Sequence, residues 1–336
     1  MTKNLSVVLT LALCVALAAG IGLGCQHTFT PPQVGDGAIV IAHRGASAYA
    51  PENTIAAFRL ADEMHADWFE LDCTITRDNK VVVIHDKNLE RTTGVDRPVS
   101  ALTMAELKEL DAGDWFSPEY AGERLPTLGE ALDYAKGRIG VYIEVKNSDD
   151  DRLLFGRMAA ATQDVERLTP ELRADLMTMV ADSGTRNLAL TRAVIDAVRT
   201  RDMANQVVIQ SFSPVICLVA LSEAPEMRVE MLASEDEDHP EHWPQLVRFA
   251  KVIRADGFNA HHESLTPERI ADFHASGMTV AAWTVDEPAR MLTLQDWGVD
   301  AIITNKPDVC RATLEAGGAA DPGAQSAAVR PAAAVM

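Results

Sequence analysis

The chain has 336 residues, 47% of them hydrophobic and 24% charged, a length that one (β/α)₈ barrel commonly fills and a composition that excludes wholesale disorder, a collagen-like fibre and a polytopic membrane protein. Lysine and arginine number 30 against 49 acidic side chains, a net charge of −19, so the surface repels nucleic acid and anionic lipid, and any phosphate-binding site has to be locally basic. The cysteines, Cys14, Cys25, Cys73, Cys217 and Cys310, form no CxxC or zinc-like spacing and no visible disulfide framework.

From Leu5 to about Leu23 the chain is apolar behind a single basic residue, Lys3, which reads as an export signal. It ends in Gly22-Leu23-Gly24-Cys25, which resembles a bacterial lipoprotein signal in which the cysteine becomes the acylated first residue, although Gly22 stands where Leu is usual. Cleavage near Ala16-Leu17-Ala18, or an uncleaved anchor, are the alternatives. Residues 1–25 are therefore predicted to be a signal peptide of a protein exported to a periplasmic or other extracytoplasmic space and held on a membrane through Cys25. Residues 26–36, QHTFTPPQVGD, carry two prolines and no apolar periodicity, as a tether would. Residues 317–336 are nearly all Ala, Gly, Pro, Val and Ser and are predicted to be a disordered tail. One domain, 37–316, lies between, and nothing in it predicts a protein partner.

Within that domain β-rich runs alternate with amphipathic helical stretches, the pattern of a parallel α/β fold. The predicted strands are Ala38–Ala42, Trp68–Thr74, Val81–Ile84, Val141–Val145, Val207–Ser211, Arg228–Leu232, Ala255–Asn259, Thr279–Val285 and Ala301–Thr304. Eight would close a barrel, so one lies outside. Only Arg77, Asp78, Asn79 and Lys80 separate the Val81 run from Thr76, too few for a parallel crossover, and Asp-Asn suits a tight turn. The expectation is an antiparallel hairpin on the barrel rim. If Arg77 and Lys80 close its turn, Thr76 pairs with Val81 and Asp72 with His85.

The polar residues at strand ends then fall together. The first strand runs into His43 and Arg44, the second carries Glu70 and Asp72 on one face, and the Val141 strand carries Glu144 and Lys146 on one face. In a barrel such side chains converge on the carboxyl-terminal mouth, where active sites sit. Any one of these acids alone would be expected to be solvated or paired with Arg44 or Lys146. Three together repel unless neutralised, and without a cysteine cluster the fitting ion is a hard one, Ca²⁺ or Mg²⁺. His43 and His85 each close an apolar run and precede a charged residue, as an acid/base pair flanking a phosphate would.

These stretches carry a family resemblance. His43-Arg44-Gly45-Ala46, Pro51-Glu52-Asn53-Thr54, Glu70-Leu71-Asp72, Val83-Ile84-His85-Asp86, Arg91-Thr92-Thr93-Gly94, Glu144-Val145-Lys146, Gln210-Ser211-Phe212 and Trp283-Thr284-Val285 look like the glycerophosphodiester phosphodiesterase family, over roughly residues 38–310. The resemblance implies a (β/α)₈ TIM barrel with an insertion, residues 86–127, over its mouth, and hydrolysis of glycerophosphodiesters to glycerol 3-phosphate and an alcohol with a divalent ion. It also implies metal binding by Glu70, Asp72 and Glu144, acid/base roles for His43 and His85, and phosphate contacts from Arg44 and Lys146. Glu52 counts either as part of the site or as an acid at a helix start. A lysophospholipid or other lipid phosphodiester is the alternative substrate, and a tethered binding protein with a decayed site is the alternative class.

Two departures stand out. Asp286 occupies a position where the family usually has Asn, and Asn305 one where it usually has Asp. Neither is one of the implied site residues, so the expectation is an effect on rim contacts only. Trp115, Phe116 and Tyr120 either wall a glycerol pocket or pack against the barrel. Residues 147–206 are longer than a simple crossover needs and receive no functional reading.

Overall fold

In a computed structural model, which describes residues 37–320, all the predicted β-rich runs become strands. They are β1 (Ile39–Ala42), β2 (Trp68–Ile75), β3 (Val81–Val83), β4 (Gly140–Val145), β5 (Val207–Ser211), β6 (Arg228–Ala233), β7 (Gly257–His261), β8 (Thr279–Trp283) and β9 (Ala301–Thr304). The predicted signal, Cys25 and the tether lie outside the described residues, as does the predicted tail beyond residue 320. The last helix, Pro307–Ala320, passes the expected domain end at residue 316.

The strands run in the order β1-β9-β8-β7-β6-β5-β4-β2, with β1 pairing β2 to close the ring. Every pair in that ring is parallel. Only β3 is antiparallel, on β2, and this is the predicted rim hairpin on a (β/α)₈ barrel.

The hairpin register is one residue away from the expected one. Cys73 faces Val83 and Ile75 faces Val81, so Asp72 aligns with Ile84, whose N–H donates to the Asp72 carbonyl at 2.9 Å, and not with His85. Asn79 is the cause. At φ 59° it is left-handed, the Thr76 N–H donates to the Lys80 carbonyl at 2.9 Å, and the connection becomes a three-residue loop.

Alternation along each strand sorts side chains into two layers. Phe69, Leu71, Val141, Ile143 and Val145 face the helices and join the main core. Ile41, Trp68, Tyr142, Val208, Ala281, Ala301 and Ile303 fill the barrel interior. Counting in twos from Trp68 and Tyr142 places Glu70, Asp72 and Glu144 on that interior face, above the apolar plug. The helix Ile55–Glu63 is held to β2 by Phe58, whose ring stacks on Phe69 at 4.3 Å. Truncating such a buried ring costs about 3–5 kcal/mol. Thr54 caps this helix by accepting from the Ala57 N–H, which fixes the Pro51–Thr54 loop beside the barrel mouth.

The insertion has its own core, in which Leu89, Val99, Leu102, Leu107 and Leu125 pack on Val82 and Ile84 of the hairpin. Three helices, Arg152–Ala161, Pro170–Ser183 and Arg186–Thr200, account for most of the long excursion after β4. Among the described residues no helix is long and apolar enough to cross a membrane, and Cys73, Cys217 and Cys310 are buried free thiols.

Candidate active site

Glu70, Asp72 and Glu144 come together as the spacing predicts, with one carboxylate oxygen from each lying within 4.8 Å of the others, all buried. Two cations from the implied set serve them. Arg44 Nε is 3.2 Å from Asp72, while Lys146 Nζ is 2.7 Å from Glu144 and 3.4 Å from Asp72. Arg44 adopts φ 55°, and in that left-handed turn its backbone N–H donates to Glu70 Oε2 at 2.9 Å. The next residue has to be glycine. Gly45 sits at φ 79°, and a Cβ there would meet the Ala57 carbonyl carbon at 2.6 Å.

Crowding three acids in a dry site shifts their protonation in opposite directions. Burial, reinforced by Asp72 and Glu144, pushes the Glu70 carboxyl well above its ordinary range. Burial and Asp72 push Glu144 up to about 7. Burial opposes ionisation of Asp72 too, but Lys146 and Arg44 overcome it and hold that carboxyl below the usual range. The Asp72 Oδ1 atom is buried without a hydrogen-bond partner, with the Lys146 ammonium 3.4 Å away.

The histidines flank this cluster with different partners. His43 Nδ1 lies 2.7 Å from Asn305 Oδ1. Burial, followed by the charge of Arg44, lowers the His43 pKa to about 4. His85 Nδ1 lies 2.6 Å from a carboxylate, Asp86. Asp86 in turn accepts from Arg91 Nε at 2.6 Å, and Arg91 donates through both Nη atoms to Glu52, at 2.8 and 2.7 Å. Glu52 also accepts from Arg44 Nη1 at 2.9 Å. It is therefore a bridge between Arg44 and the insertion, since the helix that follows begins only at Ile55.

Several residues sequence reasoning passed over belong here. Asn53, at φ 60°, clasps Asp72 from the Pro51–Thr54 loop, and Arg91 ties the insertion to Glu52; both stood inside quoted motifs. A cavity of about 100 Å³ beside the cluster is lined by His43, Arg44, Glu70, Glu144, Gln210, Phe212 and Trp283 among others. Its aromatic walls are Phe212 and Trp283, whose rings meet edge to face at 5.4 Å. Trp115, Phe116 and Tyr120 pack on one another instead, with the Tyr120 hydroxyl donating to the Tyr49 carbonyl. The two departures do more than alter a rim, because Asn305 touches His43 and also donates to Asp286.

A barrel whose mouth presents clustered carboxylates, two histidines and two flanking cations has the equipment of a phosphoric-diester hydrolase. Residues 43–309 match the profile of the Glycerophosphoryl diester phosphodiesterase family. The chain is similar to the glycerophosphodiester phosphodiesterase of Bacillus subtilis strain 168, with 30% identity over 321 residues, 90% of this chain and 94% of that one. A glycerophosphodiester phosphodiesterase of Caldanaerobacter subterraneus is 30% identical over 283 residues, 83% of this chain and 99% of that one. Among solved structures, an Oleispira antarctica phosphodiesterase in complex with the product sn-glycerol-3-phosphate superposes with a TM-score of 0.64 at 25% identity, covering 83% of this chain and 97% of that one. The chain belongs to the glycerophosphoryl diester phosphodiesterase family.

Proposed function

We propose that this enzyme hydrolyses glycerophosphodiesters to glycerol 3-phosphate and an alcohol, using Glu70, Asp72 and Glu144 to hold a divalent ion, His43 and His85 for proton transfer, and Arg44 and Lys146 to contact the phosphate. The observation that carries the reading is the cluster of Glu70, Asp72 and Glu144 held against Arg44 and Lys146, with His43 on the same cavity. The donor set fits a hard cation. It offers only oxygen, its oxygens lie within 4.8 Å of one another, and one of them lacks a hydrogen-bond partner. When bound, Ca²⁺ or Mg²⁺ supplies electrostatic stabilisation to the nonbridging phosphate oxygens.

The chain's own groups do the rest. Burial and the charge of Arg44 disfavour the charged ring, so His43 enters neutral and takes a proton from the attacking water. His85 faces the Asp86 carboxylate, a partner suited to the charged ring, and gives a proton to the departing alcohol. As the new P–O bond forms and the bond to the alcohol breaks, Arg44 and Lys146 face the charge gathering on the phosphoryl oxygens. The cavity of about 100 Å³ lined by Phe212 and Trp283 suits a three-carbon polyol better than an acyl chain.

The test is a coupled assay for glycerol 3-phosphate on glycerophosphocholine beside a long-chain lysophospholipid. Preferential turnover of glycerophosphocholine supports the reading, and turnover of the lysophospholipid alone would replace it. We also propose, from the Gly22-Leu23-Gly24-Cys25 pattern, that the enzyme is exported and anchored by acylated Cys25.

A further inference from the structure

The proton-transfer scheme leaves one half-buried polar arrangement unused, the pair of residues behind His43. Asn305 Oδ1 accepts from the Ser47 hydroxyl at 2.8 Å and faces His43 Nδ1 at 2.7 Å. Asn305 Nδ2 donates to Asp286 Oδ2 at 2.7 Å. The other Asp286 oxygen accepts from the Asn305 backbone N–H and the Thr304 hydroxyl, both at 2.9 Å. A carboxylate only accepts, so turning the Asn305 amide over would set its oxygen against Asp286 Oδ2 with no hydrogen between them. The amide has one orientation, and His43 must then carry its hydrogen on Nδ1.

We propose that Asp286 and Asn305 are a positioning pair that holds His43 in its Nδ1–H tautomer and thereby presents Nε2 as the proton acceptor. This rests on His43 being the base, as proposed above. Arg44, Asp72 and Glu52 act on the charge of the same ring, but Asn305 Oδ1 is the group that accepts the Nδ1 hydrogen, and a tautomer is set by that bond.

The two side-chain types of the pair depend on each other. With an asparagine at 286, the fixed backbone N–H of Asn305 would claim the new amide oxygen, leaving the amide NH₂ to face Asn305. Asn305 would then turn its oxygen toward 286 and its NH₂ toward His43, forcing the hydrogen onto Nε2. With an aspartate at 305 alone, two carboxylates would oppose each other. With both exchanged, the amide now at position 286 donates to one oxygen of the carboxylate now at position 305, and the other oxygen accepts from His43 Nδ1–H. Either arrangement works, and neither half of the exchange works alone.

The experiment compares wild type, D286N, N305D, the double variant D286N/N305D, and H43A, reading His43 ring-nitrogen shifts by ¹⁵N NMR, melting temperature, and kcat and KM on glycerophosphocholine. Wild type and the double variant should show Nδ1–H. D286N should show Nε2–H and a kcat lower by about 10- to 10³-fold, with KM within about twofold of wild type. The double variant should recover most of the lost kcat, which a merely structural role would not produce. Nδ1–H with wild-type kcat in D286N overturns the proposal, as does a double variant no better than the worse single at equal melting temperature. If D286N does not fold, the double variant decides: Nδ1–H with near-wild-type kcat supports the pair and Nε2–H overturns it. Full activity in H43A would instead remove the base role on which the pair depends, while the ring-nitrogen shifts still decide whether the pair sets the tautomer.

Discussion

Asn53 and Asp72 hold each other in both directions. Asn53 Nδ2 donates to Asp72 Oδ2 at 2.9 Å, and the Asp72 backbone N–H donates to Asn53 Oδ1 at 3.1 Å. One short polar side chain thus orients a carboxylate of the candidate metal cluster and satisfies the backbone group beneath it. Asn53→Ala should destabilise the fold by about 1–3 kcal/mol, the cost of orphaning buried polar groups. It should also weaken divalent-ion affinity by about 10- to 100-fold, the usual effect of losing a residue that orients a ligand. Denaturant melts and Ca²⁺ titrations check the two effects separately, and unchanged values in both would show the clasp to be idle.

Replacing His43 or His85 by Ala should each lower kcat by roughly 10²- to 10⁴-fold with little change in melting temperature. The pH profile carries a sharper expectation. Burial and Arg44 hold His43 near 4 instead of 6.5, so the basic form persists through mildly acidic solution. The acidic limb of kcat/KM should therefore fall near pH 4, and a limb centred at 6.5 would count against His43 as the base.

Chelation should abolish turnover, and Ca²⁺ or Mg²⁺ should restore it. Because Glu144 is pushed up to about 7 and Glu70 higher than its ordinary range, the metal-free cluster retains protons near neutrality that an ion must displace. Metal affinity should accordingly rise as pH increases through about 7. Calorimetric titrations in two buffers of different ionisation heat would show the released protons. Full activity after exhaustive chelation would take the ion out of the scheme.

Cys25→Ser should release the enzyme from the membrane fraction or block its processing, because a domain carrying a net charge of −19 has no electrostatic hold on anionic lipid. Mass spectrometry of the mature protein provides the check, and an unmodified internal Cys25 would point to cleavage near Ala16–Ala18 instead.

β-rich runs between helical stretches were enough to find every strand among the described residues, and period-two spacing placed Glu70, Asp72 and Glu144 on one inner face, because burial of the opposite face tolerates no slip. The hairpin register escaped because it turns on a single dihedral: Asn79 in the left-handed region adds one loop residue and moves His85 off Asp72. The partners of His43 escaped for another reason. Asn305 and Asp286 are far from His43 in the chain, and only the closed ring brings them to it. Phe212 and Trp283 were visible as motif residues, but which aromatic cluster faces the cavity depends on side-chain direction across several strands, which spacing within one segment does not specify.

The contact between His43 and Asn305 spans 262 residues, from the first barrel strand to the end of the last. A chain emerging from the ribosome or a translocon can fold its early strands and still lack the group that orients its base. Premature termination before β9 would yield a protein with every implied ligand and both histidines yet with His43 unmoored. With His43 as the proposed base, the last strand to be made would supply the contact that orients it, tying the site to completion of the barrel.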